Sequence, residues 1–191
     1  MNANSRPIYP DQKLVLVVTL FERLGIPYAV GGAIALLYWG EPRATVDIDI
    51  NVFLPSSSAT RIADALVGAG IANDTTGIVS AINATAQVRV DFAGSPLDLF
   101  FSDVPFHDSC EARKVRVPFG DIAMNVLSAE DLVICKVMFN RSKDWMDIEQ
   151  VLRISRERFD AGYVRRWLGE MLGPGDERAA RMDALAGEIP A

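Results

Sequence analysis

Residues 46–54 read VDIDINVFL, and the pattern alternates. Val46, Ile48, Ile50 and Val52 fall on one face, while Asp47, Asp49 and Asn51 fall on the other. A period of two is the mark of a strand with one buried face. Residues two apart on a strand point the same way, with Cα atoms roughly 6–7 Å apart. The apolar face therefore demands a core, and the opposite face sets two carboxylates side by side. Like charges that close repel, and each raises the pKa of the other. Either these acids lie on the solvated face of an edge strand, or a cation belongs between them.

The rest of the chain must supply that core. At 191 residues it is long enough for one domain with a real interior, and 50% of it is hydrophobic. No apolar run reaches the roughly 18 residues of a membrane span. The first residues, MNANSRPIYPDQK, lack the basic and apolar segments of a secretory leader. Cys110 and Cys135 stand in unrelated contexts, so neither a disulfide framework nor a zinc site is expected. Free thiols fit a cytoplasmic protein. A net charge of −6 argues against a non-specific nucleic-acid binder. The imbalance sits in residues 1–110, which hold 6 Lys and Arg against 11 Asp and Glu. Functional acids there, offset by bound divalent metal, would account for part of it.

The pattern predicts an α/β order with helices last. Residues 14–24 have helical length and stop at Gly25 and Pro27. Residues 28–30 form a short strand. Gly31-Gly32 opens a short helix ending at Gly40, and Glu41 to Thr45 is a loop. A helix follows PSSS and ends in glycine. Residues 88–92 and 97–101 read as strands around AGSP, and 114–118 and 122–126 as a second hairpin. Ser128 caps a helix carrying Lys136, and further helices start near Asp144 and Asp160. PFHDS reads as loop. The division predicted is a catalytic core over 1–127, a helical part of the same unit over 128–172, and a tail or short terminal helix over 173–191.

Several side chains could complete a site around Asp47 and Asp49. Oxygen ligands suit Mg²⁺ or Mn²⁺ rather than zinc. A neighbouring strand, about 4.8 Å away, could supply a third acid. Asp98, in PLDLFF, is the first choice and Asp91 the second. Glycines at a helix N-terminus let backbone N–H groups approach a phosphate, which the helix dipole also attracts. Gly31 and Gly32 meet that description one short helix before the acidic strand. Arg43 reaches either a phosphate or Asp47. Thr45 satisfies backbone groups. Tyr38 and Trp39 pack the core, and His107, the single histidine, takes no role.

These residues together carry a resemblance. GGAIALLYWGEPRATVDIDI resembles the signature of the nucleotidyltransferase superfamily with the DNA polymerase β-like fold. The resemblance implies that Gly31 and Gly32 hold a nucleoside triphosphate. It implies that Asp47, Asp49 and a third acid, Asp98, bind two magnesium ions. Where many members have Ser after the first glycine, this chain has Gly32. A second block, SAEDLVICKVMFNRSKDWMDIEQVL, resembles small bacterial nucleotidyltransferases that include the AbiEii-like toxins of toxin–antitoxin systems. Its matching residues are Lys136, Arg141, Lys143, Asp144 and Asp147. The function implied is Mg²⁺-dependent transfer of a nucleotidyl group from an NTP to a hydroxyl acceptor, with Asp47, Asp49, Asp98 and Lys136 as the catalytic set. Lys136 and Arg43 join the glycines at the nucleotide. Asp144 either holds Lys136 or Arg141, or starts the next helix. The acceptor is tRNA, with an antitoxin as partner protein, or a small molecule such as an aminoglycoside. A binding module without turnover is the third reading. Convergence of Arg113, Lys114 and Arg116 with Arg141 and Lys143 on the rim would favour nucleic acid.

Overall fold

A computed structural model describes residues 9–188. The stretch read above as free of a leader lies largely outside that range, as do the last three residues of the tail. Helix α1 (Pro10–Arg23) starts on a proline, whose missing N–H is harmless at the first helical position, and buries Leu14, Val17, Val18 and Phe21. It stops where Gly25 enters the left-handed region at φ 59°. Then come β1 (Tyr28–Val30), α2 (Gly32–Trp39), β2 (Ile48–Val52), α3 (Ala59–Gly68), α4 (Thr75–Thr85), β3 (Gln87–Phe92) and β4 (Ser95–Phe101). After α5 (Pro105–Arg113), β5 (Val115–Phe119) and β6 (Ile122–Val126), four helices close the chain: α6 (Ala129–Phe139), α7 (Ser142–Ser155), α8 (Ala161–Leu172) and α9 (Glu177–Glu188).

The strands form one mixed sheet in the order β3-β4-β2-β1-β6-β5. β2 runs antiparallel to β1 but parallel to β4, and β3 returns antiparallel beside β4. Ile48, Ile50 and Val52 enter a core with Leu97 and Leu99 of β4 and the apolar faces of α1, α3 and α4. A second core joins Ala35 and Leu36 of α2 to α6, α7 and α8. The two cores explain the strand pattern. One face of β2 is sealed in the first core. The other, bearing Asp49 and Asn51, looks toward the cavity between the sheet and the helices.

Two expectations need correction. The strand is shorter than the alternation, because β2 starts at Ile48 and Val46 is 56% exposed. Thr45 Oγ1 accepts from the Asp47 N–H at 3.1 Å, so that N–H is satisfied by a local side chain and not by a neighbouring strand. PFHDS is not loop but the start of α5, with Pro105 at its first position. The sequence reading also passed over α4, whose Asp74 cap accepts from the Gly77 N–H at 2.8 Å and whose Ile78 and Ile82 are buried one turn apart. At the far end α9 is a packed helix, with Met182 buried and Arg181 stacked on Trp145 at 4.1 Å.

Candidate active site

The register places the acids. Asp49 lies directly opposite Asp98 across the parallel β2–β4 pair, and Asp98 lies opposite Arg89 across the β4–β3 hairpin. Asp47, Asp49 and Asp98 all line a cavity of about 620 Å³, a size usual for small-molecule sites. Asp91 does not join them. It is exposed at the hairpin turn, where its carboxylate accepts from the Gly94 N–H at 3.3 Å. Burial, and then the charges of Asp98 and Asp47, push the Asp49 carboxyl above its ordinary range, with Lys136 and Arg141 opposing.

The glycine turn is built onto Asp49. The Gly31 N–H donates to the Asp49 backbone carbonyl at 2.8 Å, tying the start of α2 to β2. Gly32 sits at φ 56°, and a Cβ there would stand 1.8 Å from Asp49 Oδ2. With Asp49 as it stands, an added Cβ would overlap its side chain, which is the physical reason for glycine at this position. The first turn of α2 keeps backbone N–H groups without intrahelical partners. Behind it Tyr38 Oη donates to the Pro118 carbonyl at 2.6 Å, and Trp39 Nε1 to the Leu127 carbonyl at 2.7 Å, so both rings brace α2.

The roof over the acids carries cations. Lys136 is 3% exposed on α6, yet it lines the cavity. Its Nζ donates to Asp147 Oδ2 at 2.6 Å and stands 3.9 Å from Asp144. Asp147 takes one of three ammonium protons and leaves others for a ligand. Arg43 forks the same Asp147, with contacts of 3.1 Å. Pairing of Arg43 with Asp47 is therefore corrected: its partner is Asp147, on α7. Burial pushes the Asp147 carboxyl up, but Arg43 and Lys136 outweigh this and hold it below the usual range. Asp144 serves both of its expected roles. It accepts from the Arg141 N–H at 3.1 Å, starting α7, and from the Arg141 guanidinium at 2.6 Å. Arg141 and Lys143 line the cavity.

The second basic group lies elsewhere. Arg113 pairs with Glu130 at 2.8 Å and stacks on Tyr163 at 4.1 Å, Lys114 donates to the Glu111 carbonyl at 2.8 Å, and Arg116 pairs with Glu22. None of the three lines the cavity, and Arg113 borders a separate hollow beside Tyr38 and Trp39. Their expected convergence with Arg141 and Lys143 is overturned: acids of their own surroundings hold them back. Two other residues line the cavity: Arg89, which escaped the sequence reading, and His107, which was given no role there. Arg89 belongs to the exposed face of an edge strand, with nothing local to mark it. His107 has a buried Nδ1 with no partner among the described residues, and burial lowers its pKa.

The donor set of carboxylates fits a hard divalent cation, which would offset the charges of Asp98 and Asp47 beside Asp49. Among the described residues, however, no three His, Cys, Asp or Glu side chains stand together as a ready ligand group. Both oxygens of Asp98 are held by Arg89, at 2.7 Å each.

No curated protein sequence matches the chain. An antigenic nucleotidyltransferase-like protein from Paracoccidioides brasiliensis superposes with a TM-score of 0.53 over 92% of each chain, at 14% identity, which shows a shared fold. The antibiotic-resistance factor ANT(2'')-Ia is a more distant likeness, with a TM-score of 0.49, 12% identity and coverage of 90% of this chain and 95% of that one. A family model described as nucleotidyl transferase AbiEii toxin, type IV TA system, matches residues 16–172. That span holds the glycine turn, the facing acids and the cationic roof, and the chain belongs to the AbiEii family of nucleotidyltransferase toxins.

Proposed function

We propose that this enzyme transfers a nucleoside monophosphate from an NTP to a hydroxyl on an RNA acceptor, with tRNA the first to test, and that Mg²⁺ or Mn²⁺ supports the reaction. The observation that carries this reading is Asp49 facing Asp98 across β2 and β4, with the Gly31-Gly32 turn pressed against Asp49. Asp47, Asp49 and Asp98 would hold the ion, which when bound neutralises charge on the phosphates and activates the acceptor oxygen. The first turn of α2 receives the triphosphate. Lys136 and Arg141 stabilise negative charge that grows on the leaving pyrophosphate. The acceptor oxygen bonds to the α-phosphorus, the bond to the β-phosphate oxygen breaks, and the acceptor proton passes to a carboxylate at Asp98.

Exposed Lys143 lines the cavity and supports an anionic acceptor over a cationic aminoglycoside. Membership of a toxin–antitoxin family also supports a cognate antitoxin as the partner that restrains the enzyme. The test is incubation with each α-labelled NTP and either total tRNA or a panel of aminoglycosides, with Asp49→Asn as control. Label on RNA, lost in the control, is the expected result. Label on a small molecule alone would replace the acceptor. Label on neither, with NTP still bound, would make the protein a binding module.

A further inference from the structure

β4 stands between β2 and β3, so Asp98 has a neighbour on each side: Asp49 on one, Arg89 on the other. Arg89 Nε meets Asp98 Oδ1 at 2.7 Å and its Nη2 meets Oδ2 at 2.7 Å, a fork on a fork. The Asp98 side chain is 12% exposed, whereas that of Arg89 is 68% exposed. The guanidinium thus caps the third acid from the solvent side of the cavity. Asp49 is crowded by like charge and favours a cation, yet its facing acid is already occupied by one.

We propose that Arg89 is a competing cation on Asp98, which a divalent ion must displace before Asp98 can join Asp47 and Asp49. The inference rests on the metal reading of the site. Geometry makes the exchange easy in one direction only. Asp98 is fixed by a central strand and cannot follow the departing group. Arg89 springs from an edge strand on a long side chain, and solvent accepts it once released. While it is docked, it cancels one of three neighbouring negative charges, so the unloaded site tolerates carboxylates that would otherwise repel. Its cost is metal affinity, since an ion must first break two charge-assisted hydrogen bonds. Arg89 is then a positioning residue that sets the threshold of metal concentration for assembly of the site.

The measurement is Mn²⁺ affinity, read from the electron paramagnetic resonance signal of the free ion, with no nucleotide present. Wild type is compared with Arg89→Gln and Arg89→Lys, each checked for an unchanged melting profile in chelator. An exposed, forked ion pair is worth on the order of 1 kcal/mol, so Arg89→Gln should bind Mn²⁺ about five- to tenfold tighter. Lysine keeps the charge without the fork and should fall between. Adding Asp98→Asn to Arg89→Gln should remove the gain. Equal or weaker binding by Arg89→Gln, with wild type binding normally, overturns the proposal and leaves the metal reading intact: Arg89 would then hold Asp98 in place for the ion. Absence of Mn²⁺ binding in all variants overturns the metal reading and this inference with it.

Discussion

Gly32→Ala adds one methyl group, and the structure says where it lands. The ideal Cβ lies 1.8 Å from Asp49 Oδ2, 2.6 Å from its Cγ and 2.9 Å from its Cβ. The last of these atoms is tied to β2, so rotation of the carboxylate alone does not clear the overlap. Two costs combine. Holding a residue with a Cβ at φ 56° costs roughly 1–2 kcal/mol. Forcing an atom into packed surroundings costs about 1–3 kcal/mol more. The loss is then about 2–5 kcal/mol, on the order of 10 °C in Tm for a chain of this size. Gly25 supplies the control. It has nearly the same backbone, at φ 59°, and nothing within 4 Å of a Cβ. Gly25→Ala should cost only the first amount, about 1–2 kcal/mol. Urea denaturation of both variants measures the difference, and Mn²⁺ titration adds a second readout. Gly32→Ala should lose Mn²⁺ binding because Asp49 has been pushed aside, while Gly25→Ala keeps it. Equal stabilities for the two alanine variants, or normal Mn²⁺ affinity in Gly32→Ala, would refute the reasoning.

Two further outcomes are expected. Lys136→Ala should cost about 3 kcal/mol in urea denaturation, at the low end for a broken buried ion pair because Arg43 still holds Asp147 and Arg141 still holds Asp144; a loss below about 1 kcal/mol would mean that water already screens the pair. The raised Asp49 carboxyl binds its proton more tightly folded than unfolded, so its contribution in metal-free protein is fully present below the ordinary value of 3.8 and is lost as pH rises through the folded pKa. Asp49→Asn should therefore gain on wild type as pH rises from acid toward neutral in chelator, and parallel stability–pH curves would remove the assigned repulsion.

Local pattern determined much of this protein. Alternation in residues 46–54 marked the strand found at 48–52 and put Asp49 on the face opposite its apolar residues, because side-chain direction repeats every two residues whatever the partner strand is. Glycine pairs, the Ser128 cap and the stop at Gly25 and Pro27 are likewise local, since they depend on the φ range and hydrogen bonds of a few adjacent residues. Asp98 was legible as an acid in an apolar strand. Its pairing with Asp49 was not, because strand order and register depend on segments almost fifty residues apart. The helix at Pro105 was hidden for a different reason: a weakly apolar run gains its helicity from Phe106 and Cys110 entering the second core. Charge partners were the least legible feature. Arg43 meets Asp147 across 104 residues, and Arg116 meets Glu22 across 94. Long flexible side chains take whichever opposite charge the fold brings within a few ångströms, and no spacing in the chain encodes that choice. Tertiary structure therefore decided which cations line the cavity, which are neutralised elsewhere, and that Arg89 rests on the third acid.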